Sequence, residues 1–140
     1  MKTTYETDFY GWTREQSKAL ANRDMDKMDY NNLIEELEDL ANSKERALES
    51  HITNLLMHML KVQYQPEMRT RSWDLTIKNS KLKAIRLLKK NPGMKNELHQ
   101  IKNDAYESAR LEAAKETGLD EEVFPEECPW TIEEVLKQGS

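Results

Sequence analysis

Glu36, Ser43, His51, Asn54, His58, Lys61 and Gln65 recur at intervals that bring all seven to one strip of a helix turning about 100° per residue. Asn54 lies four residues before His58 and Lys61 three after it, so these three side chains can touch. A partly buried His or Lys is a group whose protonation can be tuned for acid or base work. His58 and Lys61, with Glu36 as the carboxylate turned toward the interior, are therefore the candidate catalytic set. The chemistry they suit is that of a small hydrolase, for instance one acting on phosphodiesters. Against this stands a plainer role, because a His at the edge of an apolar face is more commonly a packed side chain bonded to its neighbour.

The same residues argue against a metal. His51 and His58 are separated by about 10 Å of helix axis, too far to share one ion without a bend. A di-metal bundle wants Glu-x-x-His on two helices, whereas Leu48 and Leu55 stand three residues before the two histidines. Glu35, Glu38 and Asp39 belong with a solvated surface. No metal and no cofactor is expected. The four glycines form no phosphate-binding loop. Cys128 sits in an acidic segment that would raise its pKa, which makes it a poor nucleophile.

A second cluster occupies residues 63–73, QYQPEMRTRSW. Pro66 must end the preceding helix, since its ring excludes the interior hydrogen bond and drives Gln65 toward an extended backbone. Arg69 and Arg71 then lie where the Lys61 end of one helix meets the start of the next. A helix start with free amides, here beside Ser72, favours an anion such as phosphate or carboxylate. Gln65, Arg69, Arg71, Trp73 and Lys78 are the candidate binding residues. Trp73 could stack on a base, but its spacing to Ile77 and Ala84 favours the core.

The elements that must position these groups are helices. Phe9, Trp12, Gln16, Ala19 and Leu20 place a first helix over about 8–22, with only Gln16 interrupting the stripe and Thr7 or Asp8 as cap, although Thr13 with Gln16 also fits a capping box and would start it later. Asp29 can cap a second, running from Tyr30 to about Tyr64 on Leu33, Leu37, Leu40, Leu48, Ile52, Leu55, Met59 and Val62. Such a helix would reach roughly 50 Å, and a kink or break is expected near Ala41-Asn42-Ser43. Ser72 can cap a third, carrying Trp73, Ile77, Ala84, Ile85 and Leu88 and stopping at Asn91-Pro92-Gly93. A fourth carries Leu98, Ile101, Ala105, Ala109 and Ala113 and ends at Gly118. Thr131 and Glu134 form a capping box for a short fifth. The expectation is one all-α domain over residues 1–140, an antiparallel helical bundle of four main helices plus a short C-terminal helix.

Charge is divided along the chain. Residues 1–60 hold 7 Lys/Arg and 12 Asp/Glu, residues 61–102 hold 11 and 3, and residues 103–140 hold 3 and 11. A basic middle can face nucleic acid or an acidic protein, or be neutralised when acidic segments pack on either side of it, which a bundle favours. No apolar run is long enough to span a membrane. MKTTYETDFYGW carries acids where a secretory signal needs basic and apolar residues, and the single Cys128 cannot staple its own chain, so a reducing cytoplasm is the expected location.

YETDFYGW near the start, NLIEELEDL, ERALESHITNLLMHMLKVQYQPE followed by RSW, and then KETGL and FPEECPWT resemble the bacterial domain-of-unknown-function family 29 (DUF29) in order and spacing, over about residues 5–136. The family pattern would have EETGL for KETGL and an aromatic before the glutamine in KVQYQ. The resemblance implies a small helical intracellular bacterial protein and implies no activity. The residues themselves favour a non-enzymatic interaction module, docking nucleic acid or an acidic protein through the basic third helix and the 61–73 corner. The alternative is the small helical enzyme built on His58, Lys61 and Glu36. A homodimer is compatible with the long second helix and the divided charge.

Overall fold

The computed structural model describes residues 4–137, and among these there are helices and no strand. In chain order they are α1 (Thr4–Thr7), α2 (Phe9–Ala21), α3 (Tyr30–Tyr64), α4 (Arg71–Lys90), α5 (Leu98–Thr117) and α6 (Ile132–Val135), joined by short 3-10 turns. The chain is all-α, as the apolar spacing requires. The final Gly139 and Ser140 lie outside the described residues. Two compact units divide at Asn42 and Ser43. Of the kink or break expected near Ala41-Asn42-Ser43, the break does not occur: α3 is continuous through these residues, because none of them denies the backbone its hydrogen bonds.

In the first unit Asp8 caps α2, its carboxylate accepting from the Gly11 amide at 3.0 Å. A Cβ added at Gly11 would stand 2.2 Å from the Asp8 carboxylate, which would have to turn aside and give up that cap. Trp12, Gln16 and Ala19 are the buried residues of α2. Gln16, which seemed to interrupt the stripe, clamps the following turn instead: its amide donates to the Lys27 carbonyl, and its oxygen accepts the Asp29 amide at 2.7 Å. Asp29 stands just before α3 and accepts from the Asn32 side chain and from Trp12 Nε1. The Asn32 bond, with the Trp12 bond behind it, holds the Asp29 carboxyl below its ordinary range against the opposing pull of burial.

The second unit carries the larger core. Leu48, Ile52, Leu55, Leu56 and Leu60 of α3 are fully buried against Ala84 and Leu88 of α4 and Ile101, Ala105, Tyr106, Ala109 and Ala113 of α5. Each enclosed leucine or isoleucine contributes on the order of 1.5–3 kcal/mol over an exposed one. The tail between α5 and α6 inserts Phe124, 1% exposed, whose ring meets Tyr64 edge to face at 5.3 Å between centroids. Gly118 takes φ 75° and ends α5 in the left-handed conformation. Thr131 and Glu134 make the capping box that starts α6 and sets Val135 into the core.

Two expectations are corrected. Leu37 and Leu40, which share the apolar stripe of α3, are 66% and 61% exposed. Periodicity reports one face of a helix, and that face is covered only from Leu48 onward. The cap of α4 is Thr70 rather than Ser72; its hydroxyl accepts from the Trp73 amide at 3.3 Å, and Ser72 lies inside the first turn.

Candidate functional site

The corner between α3 and α4 is built around Lys61. Its ammonium lies 2.7 Å from Glu116 at the end of α5 and 4.4 Å from the centre of the Trp73 ring. The side chain is 10% exposed and that of Glu116 44% exposed, so a cation in a dry site meets a carboxylate at its rim. Gln65 reaches the Thr117 carbonyl at 3.5 Å, fastening the same two helix ends. Arg69 is held by Asp74 at 2.8 Å. The Trp73 amide is capped by Thr70. Lys61, Arg69 and the helix start are thus each engaged within the protein, and Arg71, exposed, is the corner cation with no ion pair among the described residues. Trp73 is half-buried beneath the Lys61 ammonium, which occupies a face a base would need.

The polar strip of α3 passes from the first unit into the second. His58 Nδ1 lies 3.0 Å from the Asn54 carbonyl one turn back, while the Asn54 side chain donates to the Ser80 hydroxyl of α4 at 2.9 Å. Glu36 belongs to the first unit, where it accepts the Tyr5 hydroxyl; this bond is the main reason that the Tyr5 phenol is pushed up to about 12. His58 and Lys61 belong to the second. His51 is held below its ordinary value, first by burial and then by the nearby Lys83 charge. Among the described residues, no group of three or more His, Cys, Asp or Glu is placed to hold a metal ion.

Helix α4 divides into two faces. Ser80, Ala84 and Leu88 point inward, and the opposite side carries Arg71, Leu75, Lys78, Leu82, Arg86 and Lys89, all exposed. Leu75 and Leu82 are 52% and 41% exposed. Neither the cations of this face nor the flanking Lys83 and Lys90 make an ion pair among the described residues. Among the described residues, the ion pair that joins the basic middle of the chain to its acidic end is Lys61–Glu116, at the corner. Asp74, the only acid within α4, is already taken by Arg69.

A cleft of about 760 Å³ runs between α5 and the tail, lined in part by Lys102, Tyr106, Arg110 and Cys128. Its two cations, Lys102 and Arg110, are bound up in the fold. Lys102, 7% exposed, donates to the Trp130 carbonyl; Arg110 donates to the Phe124 carbonyl and Glu121; Tyr106 donates to the Pro125 carbonyl. Burial pushes the Tyr106 phenol up to about 12 and raises the Cys128 thiol. These bonds fix the tail to α5.

Sequence reasoning missed Glu116 and the two leucines on the basic face. Glu116 stands 55 residues from Lys61 and carries no local signal of the pairing. Leu75 and Leu82, seven apart between cations, were legible as a second apolar line on the side away from Ala84, had α4 been projected on both faces.

No helix among the described residues is long and apolar enough to cross a membrane. Comparison with curated proteins and with solved structures gives no match. The family model described as Domain of unknown function DUF29 matches residues 4–139, nearly the whole chain. By that match, the chain belongs to the DUF29 family.

Proposed function

We propose that the protein is a non-enzymatic interaction module whose working surface is the outward face of α4, and that its partner is an acidic protein segment. One observation carries the reading: Arg71, Lys78, Arg86 and Lys89 are exposed without ion pairs around two exposed leucines. Charge alone would suit any polyanion. The leucines favour a protein, because a phosphate backbone offers nothing apolar to cover them, whereas an amphipathic acidic helix does. Trp73, the aromatic that a nucleic acid would use for stacking, lies under Lys61 instead. Lys78 keeps its place in the binding set, while Gln65, Arg69 and Lys61 hold the corner that fixes the start of α4. A reducing cytoplasm fits the half-buried single thiol.

The test is fluorescence anisotropy with three labelled probes at low and high salt: an acidic leucine-containing helical peptide, a polyglutamate of equal charge, and a short DNA duplex. The peptide should bind tightest, weaken with salt, and lose affinity with both Lys78→Glu/Arg86→Glu and Leu75→Ser/Leu82→Ser. Tighter binding of the duplex, indifferent to the leucine changes, would transfer the face to nucleic acid. Absence of binding to all three at low salt removes the proposal.

A further inference from the structure

We infer that the acidic segment seated on α4 is the 30–41 stretch of α3 from a second copy of this chain. This rests on the reading of α4 as a docking face and names its partner. Tyr30, Ile34, Leu37 and Leu40 are 47%, 54%, 66% and 61% exposed, although they continue the stripe that buries Leu48, Ile52 and Leu55 completely. An apolar ridge of that size on one helix is a surface that protein partners cover. Every charge in this stretch is acidic: Glu35, Glu36, Glu38 and Asp39 accompany the ridge, and no Lys or Arg occurs between Lys27 and Lys44.

The two faces match in charge and in repeat. On α4 the apolar pair Leu75 and Leu82 is seven residues apart, and on α3 Ile34 and Ala41 are seven apart with Leu37 between them. Each pair spans about 10 Å of helix axis. An antiparallel seating sets Ile34 beside Leu82 and Ala41 beside Leu75, opposes the helix dipoles, and brings Glu38, on the flank of the ridge, opposite Lys78. Ridge against ridge is the poorer arrangement, since it would bring together two stretches whose charges are all negative. Every copy carries both an acidic ridge and a basic face, so the contact is heterologous: two copies exchange ridges, or copies add head to tail.

Sedimentation velocity on the full chain tests this. The wild type should associate with rising concentration at low salt and dissociate at high salt. Glu35→Lys/Glu38→Lys and Lys78→Glu/Arg86→Glu should each weaken association by about tenfold or more in Kd, because each sets like charges together. An equimolar mixture of the two variants should associate again, since each ridge then meets a face of opposite sign. Misfolding cannot produce that recovery. A wild type that stays monomeric at all concentrations in low salt overturns the inference, and so does association that survives Glu35→Lys/Glu38→Lys. The labelled acidic peptide separates the two proposals: Glu35→Lys/Glu38→Lys leaves α4 intact and should still bind it. Peptide binding without self-association rejects the second copy and leaves the α4 face standing. Self-association without peptide binding, unchanged by Lys78→Glu/Arg86→Glu, rejects both.

Discussion

Replacing Glu116 should damage the fold more than replacing Lys61. Lys61→Met keeps most of the buried stem and removes the ammonium, so it forfeits the ion pair and the contact with Trp73 but also relieves the ammonium of its desolvation. The ion pair, half in water at its Glu116 end, is worth about 1 kcal/mol. The cation–π contact with a half-buried ring adds about 1–2 kcal/mol. Desolvation of the same ion is of similar size and opposite sign, which leaves Lys61→Met close to neutral. Glu116→Gln has no such relief: the ammonium stays in its dry site facing a neutral amide, and the cost rises to about 2–3 kcal/mol. At about 3 °C per kcal/mol for a chain of this size, the two variants should melt several degrees apart. Urea unfolding of Lys61→Met, Glu116→Gln and the double variant reads both the order and the coupling, with Glu112→Gln as the exposed control. If Glu116→Gln costs no more than that control, Lys61 is not a buried charge that depends on its partner, and the account of the corner fails.

Two further outcomes follow from the titrating groups. His51 is held below its ordinary value, so the neutral ring is favoured in the fold; its contribution is fully present above the unfolded value of about 6.5 and is lost as pH falls through the lower folded value. Urea midpoints between neutral and mildly acidic pH should therefore fall with pH, and more steeply in the wild type than in His51→Gln; parallel curves would show that the ring titrates as in an unfolded chain. Burial raises the Cys128 thiol, so a chromogenic disulfide reagent at neutral pH should react with the folded protein more slowly than with the protein in denaturant, and equal rates would contradict that placement.

Much of the architecture was legible because its signals are local. Gly118, the Thr131–Glu134 box and the spacing of Leu48, Ile52 and Leu55 each declare themselves within a turn or two. The errors share one physical origin. Leu37 and Leu55 occupy the same stripe, and nothing near either tells which has a neighbour, since that depends on where other helices begin. Thr70 and Ser72 offer equivalent hydroxyls, and the 3-10 turn at Pro66–Met68 decides between them by ending just early enough for Thr70. The contacts of the candidate site were legible only where they are local. A strip on one helix aligns His58, Lys61 and Glu36 in projection; the His58 ring meets the Asn54 carbonyl one turn back, as the spacing suggests, whereas Glu116 and Trp73 for Lys61 and Tyr5 for Glu36 come from other helices. What the sequence did carry was the excess of cations on α4, although it took the structure to expose Leu75 and Leu82 among them.

Ala105, Ala109 and Ala113 of α5 are all completely enclosed. A side chain that ends at Cβ has no torsion with which to yield, so any larger residue there must push the whole rod outward, carrying with it the tail that Lys102, Tyr106 and Arg110 anchor. Trimming to glycine costs only about 1 kcal/mol of helix propensity. Mutational drift along this seam is therefore a one-way gate, open to smaller residues and shut to bulkier ones.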